Sequence, residues 1–280
     1  MSKNILCLKG ISKAFGGVHA LDNVDLCVKE GQIHCLMGEN GSGKSTLIKV
    51  ISGVYQPDSG EIMLNGNLYH KLNPAESVRQ GVQIIYQDFS VFPNLTVAEN
   101  IIFGQTVAEK QKLTHNKKKR QNAAKIAQEI GLKADLSEIV ENLSVAEKQM
   151  VAICRALLND AKLLIFDEPT TALTQKEVKN LFALIHKMQK KGVSTLFVSH
   201  KLEEVFEIAE EFTILRNGKK VITTDAASIT REKFIFYMTG RQLSEKQFVM
   251  NVCKTGDPLL EVRDLSMEGF YKNVNFSCLV

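Results

Sequence analysis

The sequence predicts an α/β domain on a mainly parallel sheet, with a block of helices inserted into its middle. Three observations predict it. Short apolar runs bounded by glycines or charged turns alternate with helical patterns along most of the chain. One stretch, from about Thr96 to Leu158, is helical alone and reads as the insertion. The composition, 44% hydrophobic and 24% charged with 18 Gly and 5 Pro in 280 residues, is that of an ordinary folded protein able to bury a sizeable core.

Element by element, the opening is β structure, with apolar runs at Ile5–Leu8, Leu21–Val28 and Ile33–Met37. A helical pattern follows from Lys44 to Ile51, stopped by Gly53 and Pro57. Ile62–Leu64 and Val82–Tyr86 read as strands. The helical insertion includes a long polar helix through Lys117–Ile130, whose basic run Lys117–Arg120 reads as a solvated face, with a contact to phospholipid or a partner as the alternative. Alternation then resumes with strand Leu163–Phe166, helix Gln175–Lys190, strand Val193–Val198, helix Leu202–Ala209 and strand Phe212–Leu215. Near the end the pattern restarts. Leu259–Ser266 lies over Ile5–Ser12, and Asn273–Phe276 over Asn23–Leu26. A second domain is therefore expected to begin there, and two strands alone cannot bury their own face.

Several classes are excluded or disfavoured. A net charge of +4 is too mild to imply nucleic acid. No run of about 18 apolar residues is present, so no helical span is expected, and the N-terminus lacks the apolar core of a secretory signal. The six cysteines (7, 27, 35, 154, 253 and 278) are scattered without a C-x-x-C pair, which argues against a zinc site or a disulfide framework.

Gly38-Glu39-Asn40-Gly41-Ser42-Gly43-Lys44-Ser45 fits G-x-x-x-x-G-K-[ST], a phosphate-binding loop between strand and helix. Glycines allow consecutive N–H groups to wrap phosphates, Lys44 reaches the outer phosphates, and the Ser45 hydroxyl ligates Mg²⁺. The following helix aims its positive end at the same anion. Downstream, the strand Leu163–Phe166 ends in Asp167 and Glu168, adjacent carboxylates that point in different directions. Asp167 is expected to hold Mg²⁺ through water and Glu168 to act as base toward an attacking water.

With further elements in a fixed order, these residues resemble ATP-binding cassette ATPases over residues 1 to about 245. The resemblance implies a P-loop NTPase fold, with an N-terminal antiparallel β subdomain and a helical subdomain inserted at about 89–160. It makes Gln87 a third metal contact beside Ser45 and Asp167, and His200 a switch residue with Glu168. It adds Thr46 to the nucleotide site and stacks adenine on Phe15. It makes Leu143-Ser144-Val145-Ala146-Glu147 the signature that meets a partner cassette's ATP. Singly, the residues have plainer readings: Phe15 as core, His200 as a structural histidine, and Ser144/Glu147 and Thr174/Glu177 as capping boxes.

The signature departs from the family pattern, with Val145 and Ala146 in place of two glycines and Glu147 in place of glutamine. Together with Ser199-His200-Lys201-Leu202-Glu203-Glu204 and Leu215-Arg216-Asn217-Gly218-Lys219, it is similar to the tandem ATPase subunits of bacterial importers of ribose, galactose, xylose or autoinducer-2. That resemblance implies an ATP- and Mg²⁺-using, transport-coupled ATPase on the cytoplasmic face of the membrane. Its partners would be a second cassette, transmembrane permease subunits and, indirectly, a periplasmic sugar-binding protein, with no nucleic acid. It further implies a cassette at 1–245, a linker at 246–257 and, at 258–280, the start of an incomplete second cassette. Two alternatives are a non-transport cassette ATPase and a fragment that binds ATP without turning it over. Against the first, Lys44 and Leu143 stand only 99 positions apart, leaving no room for a long coiled coil.

Overall fold

Ile5–Leu8 are buried in unbroken succession in the opening strand, β1 (Asn4–Phe15), which pairs antiparallel with β2 (Val18–Lys29), where burial alternates from Val24 on. There follow β3 (Ile33–Met37), α1 (Lys44–Ile51), β4 (Ser59–Leu64), β5 (Asn67–Tyr69), α2 (Pro74–Arg79) and β6 (Val82–Ile85). Three helices come next, α3 (Val97–Ala108), α4 (Lys117–Ile130) and α5 (Val145–Leu158). The chain then runs through β7 (Leu163–Asp167), α6 (Gln175–Gln189), β8 (Ser194–Ser199), α7 (Leu202–Ile208), β9 (Glu211–Arg216), β10 (Lys219–Asp225) and α8 (Arg231–Thr239). A hairpin of β11 (Pro258–Met267) and β12 (Tyr271–Leu279) ends it. This computed structural model describes residues 3–88, 90–108, 117–241 and 258–279.

The core sheet has the order β10-β9-β3-β8-β7-β6 and is parallel except for the β10–β9 pair. Its middle strands are buried on both faces, the signature of strands covered by helices. Ile33, Cys35 and Met37 turn toward Leu181, Phe182 and Ile185 of α6. Leu36 turns the other way, toward Leu47, Ile48 and Ile51 of α1. A second sheet, β2-β1-β4-β5, is antiparallel and shares that other core. The inserted helices have their own apolar cluster, with Ile101, Ile102, Ala123, Val151 and Cys154 at its centre. The fold is therefore the expected α/β architecture with a parallel-dominated sheet and an antiparallel N-terminal sheet.

Four elements were not expected. Strands β5 and β10 are short or largely solvent-exposed and lack an apolar run. Helix α2 opens on an Asn73/Glu76 capping box with Pro74 at its first position, a legible but brief signal. Helix α8 starts at the Thr230 cap and stops at Gly240 in the left-handed region.

Two expectations are corrected. Cys7 and Cys27 face each other in the β1–β2 register and are disulfide-bonded. Their 20-residue separation gave no hint, because the pairing register that joins them is a property of the folded hairpin. Within the basic run, Lys119 is not solvated: it is 7% exposed, and its Nζ donates to Gln105 O at 3.4 Å. Lys117, Lys118 and Arg120 are exposed as expected.

The chain divides into two units, Met1–Gln242 and Leu243–Val280. The linker expected at 246–257 lies outside the described residues. Within the second unit, the terminal hairpin repeats the first in detail. Leu260↔Cys278, Glu261↔Ser277, Val262↔Phe276 and Leu265↔Val274 fall at the places of Leu6↔Val28, Cys7↔Cys27, Leu8↔Leu26 and Ile11↔Val24, with the register slip in the same interval. Asp264 and Asn273 take positive φ where Gly10 and Asn23 do. Even the side-chain clamps recur: Gly10 N donates to Asp25 Oδ1 and Asp264 N to Asn275 Oδ1, while Asn23 N donates to Ser12 Oγ and Asn273 N to Ser266 Oγ. Burial differs. Leu6, Leu8 and Leu26 are buried, whereas Leu260 and Phe276 are about half exposed, at 51% and 48%.

Candidate functional site: a glycine loop facing two carboxylates

β3 carries the chain to the edge of the core sheet at Met37, and residues 38–43 turn it into α1. At Gly38 (φ 155°) a Cβ would stand 2.3 Å from Ser42 Oγ and 2.4 Å from Leu215 O. At Gly43 (φ 107°) it would stand 2.6 Å from Ala20 O. Only glycine fits at either position. The loop is braced from behind, since Gly218 N donates to Ser42 O at 3.1 Å and Asp22 N to Gly218 O at 2.8 Å. No side chain caps α1, so its first N–H groups face outward.

Two observations fit this loop to an anion. Ser42 Oγ is buried without a hydrogen-bond partner. Lys44 is 5% exposed, and its Nζ donates to Gly38 O at 2.7 Å and Glu39 O at 3.1 Å, on the loop's own rim. Burial pulls the Lys44 pKa below its ordinary value, while the charges of Glu168 and Asp167 oppose that shift. Glu39, Asn40, Gly41 and Ser45 are exposed at the loop's surface, and Thr46 is half-buried.

Asp167 ends β7 and Glu168 follows it in the left-handed region, φ 48°. A non-glycine residue holds that conformation only when its surroundings enforce it. Here Glu168 N donates to Val198 O at 3.1 Å, and Thr171 Oγ1 donates to Glu168 O at 2.8 Å. The Glu168 carboxylate lies 3.2 Å from His200 Nδ1 and 3.9 Å from Lys44 Nζ. Asp167 has its pKa raised, by burial first and then by the Glu168 charge, with Lys44 and Lys49 opposing. Gln87, exposed just past β6, lines with Asp167 a cleft of about 760 Å³ that also includes Lys49 and Tyr86. Among the described residues no group of three or more His, Cys, Asp or Glu could hold a metal. A cation at Asp167 would therefore draw its remaining oxygen ligands from hydroxyl, amide, water and phosphate, the donors Mg²⁺ takes.

The structure thus brings together Lys44, Glu168 and His200, and places Gln87 and Asp167 in one cleft. Phe15 and the signature stay outside this group. Phe15 is 42% exposed, which excludes the core reading. Its ring meets Tyr55 edge-on at 5.1 Å, with Lys13 Nζ 5.5 Å from its centroid. Ser144 and Glu147 do form a capping box at the start of α5, as Thr174 and Glu177 do for α6. Within the signature Leu143 is buried, Val145 exposed and Ala146 half-buried. One tie joins α5 to the loop after Glu168: Gln149 Nε2 donates to Pro169 O at 3.3 Å. Sequence reasoning missed Tyr55 and Gln149, for neither sits in a pattern of its own.

The sequence model of the family described as ABC transporter matches residues 21–171. The chain is 39% identical over 272 residues to a ribose import ATP-binding protein RbsA of Caldanaerobacter subterraneus subsp. tengcongensis, covering 97% of this chain and 55% of the relative. It is 41% identical over 274 residues to a protein of the same name from Clostridium perfringens (strain SM101 / Type A), covering 98% and 54%. The chain thus spans about half the length of the curated relatives it matches. Among solved structures it is similar to the ADP conformation of MJ1267, an ATP-binding cassette of an ABC transporter, with TM-score 0.74, 27% identity, 80% of this chain and 92% of that one. It is also similar to the dimeric post-hydrolysis cassette MJ0796 bound to ADP and Pi, with TM-score 0.69, 26% identity, 80% and 100%.

Proposed function

The chain belongs to the ABC transporter family, and from that membership we propose that it is an ATP-binding and ATP-hydrolysing cassette serving a bacterial importer of a monosaccharide or similar small sugar. The observation that carries the hydrolytic part is the convergence of Lys44 and His200 on the Glu168 carboxylate. The sugar rests on the names of the relatives and on the shared motifs.

The glycine loop and the start of α1 offer N–H groups to the phosphates, and Lys44 moves its donors from Gly38 O and Glu39 O to the outer phosphate oxygens. Ser42 Oγ gains a partner in the same event. Ser45, Asp167 and Gln87 would hold Mg²⁺, which when bound would neutralise charge on the transferring phosphoryl group. Glu168 accepts the proton of the attacking water, and His200 orients the Glu168 carboxylate and contacts the terminal phosphate. Phe15 stacks on adenine, supported edge-on by Tyr55.

The signature, Leu143 to Glu147, meets the nucleotide of a second cassette, so the site is completed by dimerisation or by a tandem half. The duplicated hairpin at 258–279 favours the tandem arrangement, as the first strands of a second cassette. Transmembrane permease subunits anchor the cassette to the cytoplasmic face of the membrane, and a periplasmic sugar-binding protein is reached only through them. Among the described residues no helix is long and apolar enough to cross a membrane.

ATP turnover measured against chain concentration tests the reading. Specific activity rising with concentration is expected for a shared site. Binding without turnover at any concentration would leave only the fragment that holds nucleotide. Turnover independent of concentration would contradict the shared site.

A further inference from the structure

We infer that Lys201 and Glu204 are positioning residues that fasten the His200 loop to the Glu168 loop and so set the distance between the two hydrolytic groups. The inference rests on the hydrolytic reading above and goes beyond it in naming what holds the pair in register.

The hydrogen bonds around His200 form one connected set. Glu204 is 6% exposed on α7. Its Oε2 accepts from Ser199 Oγ at 2.7 Å, and its Oε1 lies 3.1 Å from Lys201 Nζ. Ser199 Oγ in turn accepts from Lys201 N at 3.0 Å. The residues on both sides of His200 are thereby tied to a single buried carboxylate. Lys201 Nζ then crosses to the other loop, donating to Thr170 O at 3.2 Å and Thr170 Oγ1 at 3.3 Å. Thr170 is 2% exposed and stands two residues after Glu168, whose left-handed backbone needs external support. A buried carboxylate is retained only when its oxygens are matched, and here both are.

Among the described residues, the hydrogen-bond and ion-pair partners of the Lys201 and Glu204 side chains are Thr170, Ser199 and each other, none of them in the glycine loop, while the Glu168 and His200 side chains stand 3.2 Å apart. The Lys201 ammonium joins Thr170 directly to Glu204, and through Glu204 and Ser199 to the residues flanking His200. Lys201→Met keeps the aliphatic stem and removes that bridge, while Lys201→Arg keeps a cation that can reach the same carbonyl.

The experiment is run on the full chain with three variants, K201M, K201R and S199A. Two quantities are read: the ¹⁵N shift of the His200 imidazole in the nucleotide-free chain, and kcat against KM for Mg·ATP. The inference expects K201M to move the His200 resonance and to lower kcat about tenfold or more, as a displacement near 1 Å can, with KM within about twofold. K201R should restore both. S199A, which removes the other tie, should reproduce the K201M pattern and decides the matter if K201M does not fold. An unchanged His200 resonance in folded K201M and S199A overturns the inference whatever the activity. Equal losses in K201M and K201R, with KM rising in step, also overturn it, since that is general damage. A wild-type chain without turnover defeats the hydrolytic reading instead, and the resonance alone then decides the positioning role.

Discussion

His200 Nδ1 lies 3.2 Å from Glu168 Oε1, although the two residues come from neighbouring strands and stand 32 positions apart in the chain. The contact exists because β7 and β8 are parallel neighbours, pairing Asp167 with Val198, so both strands release their chains at the same edge of the sheet. The P-loop leaves that edge from β3, the next strand over.

Replacement of Glu168 by Gln should therefore leave Mg·ATP binding near the wild-type affinity while lowering turnover by roughly 10²-fold or more, because an amide cannot accept the proton of the attacking water. Single-turnover hydrolysis with radiolabelled ATP, beside a binding titration, reads the two effects separately. Turnover equal to wild type would remove Glu168 from the role of base.

Ser144→Ala should cost about 1 kcal/mol of stability by breaking the α5 capping box. The variant should bind nucleotide at its own P-loop as tightly as wild type at low chain concentration, because the signature stands outside the Lys44–Glu168–His200 group. Denaturant midpoints and a nucleotide titration check the two halves. Weakened binding in the dilute chain would place the signature at its own nucleotide instead.

At the far end of β3 from the glycine loop, Glu211 of β9 faces fully buried His34, with its Oε2 3.3 Å from His34 Nδ1, and also accepts from Gln32 Nε2 at 3.1 Å. The adjacent His34 ring holds the Glu211 carboxyl from an ordinary 4.5 down to about 2; burial opposes this, and Gln32 and Lys29 assist. A carboxyl whose pKa falls on folding contributes stability above its unfolded value and loses it as pH drops. That contribution should be complete above about pH 4.5 and disappear between 4.5 and about 2. Glu211→Gln should lower stability at neutral pH by about 1–2 kcal/mol and flatten the acid limb of a stability–pH profile in that window. A variant with the same slope as wild type there would show that Glu211 is not responsible.

The glycine loop and the paired carboxylates were legible because each is a short contiguous pattern whose chemistry fixes the residue types. Strands β3, β7 and β8 were legible for a related reason: burial on both faces favours a mostly apolar run, interrupted here by His34 in β3 and by Ser194, Thr195 and Ser199 in β8. Strand β10 was not, since its outward residues are Lys219, Lys220 and threonines that carry no period-2 apolar signal. The Cys7–Cys27 pair and the Lys201–Thr170 bridge were hidden in a stronger sense, for both depend on register or loop approach that exists only once distant segments pack. Lys119 misled because a basic run describes composition, whereas burial follows from which helix face turns inward. The repeated hairpin lies between these cases. The aligned apolar residues pointed to it, and the matching register slip and side-chain clamps appeared only in three dimensions.

The central claim is that residues 38–45 grip Mg·ATP. Isothermal titration of Mg·ATP into the folded chain tests it most directly, with Lys44→Ala titrated alongside. Saturable heat with one nucleotide per chain, lost in Lys44→Ala, is the expected result. A flat titration of the well-folded wild-type chain, or a Lys44→Ala titration that matches it, would show that this loop does not bind Mg·ATP.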